Sequence, residues 1–378
     1  MSGTPLRIAV EVNPRIVGGT EHFLASLLTA LDRDRVRPVA LFSDEGPTTA
    51  LFRSRGLDVA IVPYTETETS PNGVVPFLRQ RQIDIVQSSY FSPVLGLAAA
   101  QASLPHVWRF GGHVSVVYAD RSERDMQVFL SLVTMLSQRI VCASDFLRRQ
   151  FNLIGHDAAQ VIFNGLDPLE FGSPADLSAV APRVAMVAHY VPQKRHEDLI
   201  RATAIVAREV AGLRVDLFGA CYPSEESERY AERLRQLVAD LGLSDVVHFS
   251  HLGAERRTTM ASVALCVLPS VNEGASNAIV EAMAFGKPVI AAASGGNPEL
   301  VIEGETGFLV PPESPERLAE RMLALLGSPA LRVQCGRAAH RRVAEQFHIG
   351  RCAREYERLY VSMARRRAGS TEAPARMA

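Results

Sequence analysis

Short apolar runs rich in β-branched residues alternate with amphipathic segments along almost the whole chain. Such runs predict strands that are covered on both faces, and the segments between them supply the helical crossovers that parallel strands need. The predicted strands are 6–12, 38–42, 58–62, 84–87, 106–110, 140–143, 161–163, 184–188, 215–218, 246–249, 264–268, 289–292 and 308–310. The clearest predicted helices are 20–31, 199–210, 225–241 and 315–326. The pattern indicates an α/β protein with mainly parallel sheets.

The length of 378 residues exceeds what one hydrophobic core usually serves, so we expect two domains. The stretch from Gly172 to Pro182 carries two prolines and lacks periodicity, which predicts a linker at 173–183. We therefore expect Rossmann-like domains at 1–172 and 184–349, a basic helix at 350–366 and a disordered tail at 367–378. The cleft between the two domains is the expected active site.

The composition argues against nucleic acid and a lipid bilayer core as partners of this chain. A formal net charge of -1 provides no overall attraction to nucleic acid, and no apolar run reaches the length that spans a bilayer. Five cysteines without CxxC spacing, together with an N-terminus that lacks a signal-peptide core, favour a cytoplasmic protein. The arginines between Arg351 and Arg367 leave open a peripheral contact at the inner membrane face, although such clusters are more often a solvated surface.

Two acidic residues, Glu273 and Glu281, bracket a small-residue turn inside a predicted strand, loop, helix and strand unit. The helix is predicted at 277–285, and Gly286 suits the left-handed position after it. A ligand crevice in such a unit lies at the carboxyl ends of its strands, where carboxylates can accept paired hydrogen bonds from vicinal hydroxyls. The arrangement therefore suits a nucleotide sugar. The competing interpretation is a solvated helical carboxylate beside a turn.

Two further loops have the chemistry of phosphate sites. Gly18 and Gly19 precede Thr20, a predicted helix N-cap, and backbone amides at such a helix start can face an anion. Lys194 and Arg195 follow the strand at 184–188 and lead into the next helix, where their charges can offset a diphosphate. Each feature alone is equally compatible with an ordinary turn or helix start.

Taken together, several segments resemble the family-four glycosyltransferases in order and spacing, over about residues 6–347. They are Gly18-Gly19-Thr20-Glu21, 140–148, the Asn164-Gly165-Leu166-Asp167 part of 161–171, Lys194, the Glu273 to Glu281 block, and 295–311. The resemblance implies a GT-B fold in which two Rossmann-like domains face each other across a cleft. It also implies a retaining transfer without a metal, and a last helix that crosses back to the N-terminal domain.

The same resemblance implies roles for particular residues. Glu281 would accept hydrogen bonds from the ribose hydroxyls, Glu273 would face the transferred sugar, and Lys194 would hold the phosphates. The implied backbone contacts to the donor come from Gly18, Gly19, Gly274, Ala275, Ser276 and Asn277. Glu21, Arg109 and Asn164 are candidate contacts to the acceptor or the sugar. The acceptor is a hydroxyl compound that the sequence does not identify.

The chain departs from this family pattern at two candidate positions. His189 stands where many members have an arginine five residues before the diphosphate lysine, and an imidazole ordinarily loses its charge above about pH 6.5. A histidine that many members carry after the fifth strand is replaced here by Gly111-Gly112-His113. The catalytic candidates are therefore Glu273, Lys194 and His113, with Arg109 as the alternative to His113.

Other functions remain open on the sequence alone. A nucleotide-sugar epimerase or a glycoside phosphorylase would share the two-domain plan, and a non-catalytic sugar-nucleotide-binding partner of another transferase would share the binding residues. Asp32-Arg33-Asp34 matches a metal-binding pattern of glycosyltransferases with a different fold, but its place after a helix favours a turn. We therefore expect no metal site there.

Overall fold

The structure is a computed structural model that describes residues 4–15, 17–64, 71, 73–90, 93–112, 123–152, 159–167, 177–222, 224–251 and 256–371. The chain divides into two compact units. The first comprises Met1–Gly165 and Ile349–Ala378, and the second comprises Leu166–His348. Within the described ranges, no helix combines the length and the apolar character needed to span a membrane.

The first unit contains a parallel sheet of seven strands in the order β3-β2-β1-β4-β5-β6-β7. These strands are β1 (Leu6–Glu11), β2 (Val36–Phe42), β3 (Asp58–Ile61), β4 (Ile85–Ser88), β5 (His106–Phe110), β6 (Arg139–Cys142) and β7 (Ala159–Val161). The helices between them are α1 (Gly19–Ala30), α2 (Pro47–Ser54), α3 (Val74–Gln80), α4 (Val94–Gln101), α5 (Glu123–Leu136) and α6 (Asp145–Asn152). The order is that of a Rossmann sheet, and it reverses between β1 and β4.

The second unit repeats this plan with six parallel strands in the order β10-β9-β8-β11-β12-β13. These strands are β8 (Arg183–Val187), β9 (Arg214–Phe218), β10 (Val247–Ser250), β11 (Leu265–Leu268), β12 (Val289–Ala292) and β13 (Gly307–Val310). The helices are α7 (His196–Val206), α8 (Glu225–Asp240), α9 (Arg256–Ala261), α10 (Asn277–Ala284), α11 (Asn297–Leu300), α12 (Pro315–Gly327) and α13 (Pro329–Gln346). The order reverses between β8 and β11. The predicted α/β class with parallel sheets is confirmed.

The last helix, α14 (Ile349–Thr371), belongs to the first unit and packs against α1. Tyr356 and Tyr360 are fully buried in the core that β1 and α1 form. The Tyr360 hydroxyl donates to Gln87 Oε1 at 2.7 Å, and Glu357 Oε2 pairs with Arg35 at 2.8 Å. The helix also runs five residues into the predicted tail, of which Arg367 and Ala368 are good helix formers, and it ends at Thr371 after Gly369. The rest of that tail lies outside the described residues.

The boundary between the units differs from the predicted one. It falls after Gly165 rather than near 172, because the Leu166 N–H donates to the Phe347 carbonyl at 2.7 Å and Leu166 also bridges to His348. The two ends of the second unit are therefore hydrogen-bonded neighbours. Of the predicted linker, 173–176 lies outside the described residues, and Leu177 is buried.

Most predicted elements match the structure within two residues, and the differences have local causes. The strand predicted at 161–163 pairs at 159–161 instead, opposite the short strand Arg139–Cys142, and its last ladder bond is that of the Ile162 N–H to the Cys142 carbonyl. Helix α1 begins at Gly19, so Thr20 is not its N-cap. Gly286 follows α10 with a φ of 68°, which confirms the predicted left-handed position.

Candidate active site

The second sheet has its switch point between β8 and β11, where the loops after these strands diverge and open a crevice. Lys194 lies in a short 3-10 turn after β8, and Glu273 follows β11. The Lys194 Nζ atom and the Glu273 Oε1 atom form an ion pair. The two side chains are 21% and 12% exposed, so the pair lies in the crevice and remains accessible to a ligand.

The two loops that carry this pair are also joined through their backbones. The Val271 N–H donates to the Gln193 carbonyl at 3.0 Å, and Gln193 Nε2 donates to the Asn272 carbonyl at 3.2 Å. The ion pair joins the next residue of each loop, Lys194 after Gln193 and Glu273 after Asn272. The loops therefore form one unit, and two hydrogen bonds beside the ion pair hold its two residues near each other.

The second predicted carboxylate lies at the same switch point. Glu281 is half-buried on α10 and lines a small cavity with Val187 and Leu268, the last residues of β8 and β11. Ser276 is the N-cap of α10, but its side chain accepts no hydrogen bond from the helix. The start of α10 carries the positive end of the helix dipole, which favours an anion. Glu281 and the 274–277 turn therefore lie near the switch point between β8 and β11, which the Lys194 and Glu273 loops also follow.

His189 lies two residues after the end of β8, and two contacts hold its ring. Its Nδ1 atom lies 3.2 Å from the Ala220 carbonyl, and its ring stacks on the Tyr222 ring at 4.4 Å between centroids. A carbonyl can only accept, so Nδ1 must carry a proton. In the neutral ring Nε2 is then an acceptor, and it can donate to a phosphate oxygen only when the imidazole is charged.

Arg195 does not serve the crevice as its sequence position suggested. Its backbone is left-handed, with a φ of 56°, and its guanidinium donates to both oxygens of Asp198 at 3.0 Å. It also lies 3.2 Å from Glu197. These carboxylates in the first turn of α7 hold the arginine, and they raise its pKa against the effect of burial. Of the two adjacent cations, Lys194 is the one paired within the crevice.

In the first unit, Gly18 and Gly19 lie at the start of α1, and Glu21 fixes this loop. The Gly18 N–H donates to Glu21 Oε2 at 2.9 Å, and the Tyr90 hydroxyl donates to Glu21 Oε1 at 2.5 Å. Burial and the charge of Glu21 raise the pKa of Tyr90 well above its ordinary value. The Gly18 amide is thus already bonded within the loop. Glu21 is buried and supports the loop, and its role as a substrate contact stays a prediction.

Arg109 and Asn164 are brought together at the carboxyl end of β5. Arg109 Nη2 donates to Asn164 Oδ1 at 2.7 Å, and the guanidinium lies 4.5 Å from the centre of the Phe23 ring. Both residues are buried. Their direct contact with a substrate also stays a prediction, and His113 lies outside the described residues.

The sequence did not indicate the supporting residues of the crevice. Gln193, Asn272 and Tyr222 are polar or aromatic residues in loops, and their partners come from distant segments. One signal was present, because Gly295-Gly296 begins three residues after the buried strand β12 ends. Gly295 has a φ of 61°, and a Cβ atom there would lie 2.3 Å from the Glu273 carbonyl oxygen. A glycine pair at this point marks a close approach of two backbones.

Comparisons with known proteins agree with this geometry. Residues 178–342 match the model of the glycosyl transferases group 1, and residues 17–169 match that of glycosyltransferase family 4. The chain is 32% identical over 284 residues to a D-inositol 3-phosphate glycosyltransferase of Streptomyces avermitilis, an alignment covering 68% of this chain and 61% of that protein. It is 30% identical over 315 residues to a protein of the same description from Kineococcus radiotolerans, covering 74% and 72% respectively.

Among solved structures, Anabaena Alr3699/HepE in complex with UDP-glucose superposes with a TM-score of 0.83 at 22% identity. The superposition covers 94% of this chain and 100% of the other. This likeness concerns the fold. The two family models and the relative from Kineococcus radiotolerans show that the chain belongs to the glycosyltransferases of family 4 and group 1.

Proposed function

We propose that the protein transfers a sugar, with retention of anomeric configuration, from a UDP- or GDP-linked donor to a hydroxyl acceptor. The observation that carries the proposal is the ion pair of Lys194 with Glu273 at the switch point of the second sheet. Glu281 and the start of α10 lie at the same switch point. We assign the cation of Lys194 to the phosphates, the Glu273 carboxylate to the sugar hydroxyls and the Glu281 carboxylate to the ribose.

The ion pair suggests how the donor is received. A diphosphate takes over the ammonium group of Lys194, and the Glu273 carboxylate then accepts hydrogen bonds from the sugar hydroxyls. Lys194 exchanges one anionic partner for another, and Glu273 exchanges its cation for neutral hydroxyl donors, so neither group is left without a polar partner. The start of α10 shares the phosphate charge, and Glu281 accepts from the ribose hydroxyls.

The transfer itself needs no protein nucleophile. The bond from the anomeric carbon to the phosphate oxygen breaks, and the acceptor oxygen bonds to that carbon from the same face. The acceptor proton passes to the departing phosphate oxygen. Catalysis then consists of positioning and of charge stabilisation by Lys194, which can supply several kcal/mol in a site that excludes water. Lys194 provides the neutralising charge, so the proposal calls for no metal.

The test combines binding and turnover. UDP-glucose and GDP-mannose are titrated calorimetrically, and the preferred donor is incubated with an acceptor panel that includes D-inositol 3-phosphate. Release of nucleoside diphosphate together with a product of unchanged anomeric configuration by NMR supports the proposal. Binding without turnover across the panel would favour a sugar-nucleotide-binding partner, and an isomerised nucleotide sugar would favour an epimerase.

We propose in addition that α14 meets anionic lipid when the acceptor is membrane-bound. Arg351, Arg354, Arg358 and Arg365 are exposed along this helix, at spacings that place most of them on one side. Each arginine near an anionic surface contributes roughly 1 kcal/mol. Sedimentation with phosphatidylglycerol vesicles should fall in an R354E/R358E variant and stay unchanged in R317E/R321E on α12. Equal sedimentation of both variants would refute the contact.

A further inference from the structure

The loop 294–297 follows β12 and contacts the chain that leaves β11. The Asn297 Nδ2 group donates to the Ser270 and Ala292 carbonyls, each at 3.1 Å. The Asn272 N–H donates to Ser294 Oγ at 3.1 Å, and the Gly296 N–H donates to the Glu273 carbonyl at 2.8 Å. The loop therefore holds the chain immediately before Glu273 and at Glu273 itself.

The packing leaves this chain little freedom to move. Asn297 and Ser270 are buried, so the bonds between them form away from water. The Cβ position of Gly295 lies 2.3 Å from the Glu273 oxygen and 2.7 Å from the Glu273 nitrogen. The two backbones are thus in direct contact, and any side chain at 295 would push Glu273 away.

The turn that directs Glu273 depends on outside support. Asn272 has a φ of 53°, in the left-handed region that asparagine adopts more readily than most non-glycine residues but that still favours glycine. Such a conformation persists only where the surroundings fix it, at a cost of roughly 1 kcal/mol or more. The amide of this residue is the one that Ser294 binds, so the Ser294 hydroxyl stabilises the turn.

We propose that Ser294 and Asn297 are positioning residues that set the Glu273 carboxylate for the sugar half of the donor. The inference rests on the proposed function, because it takes Glu273 as the group that faces the sugar. Lys194, Glu281 and the start of α10 serve the nucleoside diphosphate half. Loosening the 294–297 loop therefore reduces the extra affinity that the sugar adds, and it changes the affinity for the nucleoside diphosphate little.

The first experiment measures hydrogen exchange in the ligand-free protein. Ser294→Ala should speed exchange of the Asn272 amide by at least about tenfold, and Ser294→Thr, which keeps the hydroxyl, should restore protection. The matched control is Ser328→Ala, which removes another serine oxygen that accepts a backbone N–H, at the start of α13. Unchanged exchange in Ser294→Ala would overturn the proposal without reference to any ligand.

The second experiment compares UDP with UDP-glucose, and GDP with GDP-mannose, for the same variants. In Ser294→Ala and Gly295→Ala, the ratio of the two dissociation constants should shrink at least about threefold, with the value for UDP or GDP alone nearly constant. Glu273→Gln provides the reference. Suppose that Glu273→Gln removes the extra affinity that the sugar adds, whereas Ser294→Ala and Gly295→Ala retain this extra affinity. The inference then fails and the proposed function stands. If Glu273→Gln also has no effect, the role of Glu273 and the inference both fail.

Discussion

Lys194 and Glu273, 79 residues apart in the sequence, form an ion pair where the strand order of the second sheet reverses. The pair arises because β8 and β11 are neighbours in the sheet, so the loops after them meet at one edge. Each charge keeps the other in place in the crevice until a ligand replaces one of them.

Replacing Lys194 by alanine should lower turnover by about 100-fold or more, because the leaving diphosphate then loses its main cation. Lys194→Arg keeps the charge and should recover part of the rate. Initial rates of nucleoside diphosphate release check this. A Lys194→Ala enzyme that retains more than a tenth of the wild-type rate would contradict the assignment.

Substitutions of Glu281 and Glu273 should affect different kinetic constants. Glu281→Ala removes a ribose contact that is present before and during the reaction, so it should raise KM about tenfold with kcat nearly unchanged. Glu273→Gln should lower kcat more than it raises KM. Steady-state kinetics at saturating acceptor measures both. Equal and small effects in the two variants would refute the division of roles.

His189 should make donor affinity depend on pH. Because Nδ1 donates to Ala220, only the charged ring can donate from Nε2, and a nucleotide sugar should bind more tightly at pH 5.5 than at pH 8. A nucleotide sugar is the proper probe because its diphosphate carries no proton that titrates in this range. His189→Arg should bind with similar affinity at both values. A wild-type affinity that stays constant would exclude a charge role for His189.

The sequence predicted the strands well because buried parallel strands leave a strong local signal of β-branched residues. It also indicated Lys194, Glu273 and Glu281, whose spacing around predicted strands implied one edge of a sheet. It did not reveal that Arg195 is bound by Asp198 or that Glu21 is used by Gly18 and Tyr90. These outcomes depend on which partner is nearest in space, and a polar residue in a loop has the same sequence signature in either case.

Two buried histidines should make the fold sensitive to mild acid. Burial lowers the pKa of His106 and of His196 to about 3, so both are neutral in the folded protein and gain a proton on unfolding below about pH 6.5. The contribution of the neutral histidines to the free energy of unfolding is complete above that pH. It declines as the pH falls, by about 1.4 kcal/mol for each histidine at pH 5.5. Urea unfolding at pH 7.5 and 5.5 measures the loss. His106→Asn should reduce it, and an unchanged difference would argue against the role of His106.

Glu21→Ala should affect stability in addition to any effect on activity. The substitution leaves the Gly18 N–H and the Tyr90 hydroxyl without their charged acceptor, at a cost of about 2–3 kcal/mol. Glu21→Gln should lose less because it still offers one acceptor oxygen. Urea unfolding curves of the two variants test this. A Glu21→Ala protein as stable as the wild type would show that the loop does not depend on this carboxylate.

The hydrogen bond between Leu166 and Phe347 holds the two ends of the second unit next to each other, so the unit is a segment that can be exchanged as a whole. Its chain enters and leaves at adjacent points, so replacing 166–348 by the same segment of a relative requires two junctions that already lie together. A chimaera made in this way keeps α14 with the core in which Tyr356 and Tyr360 are buried. We therefore expect recombination at two neighbouring sites to exchange the whole second unit between family members, a route open to evolution as well as to protein engineers.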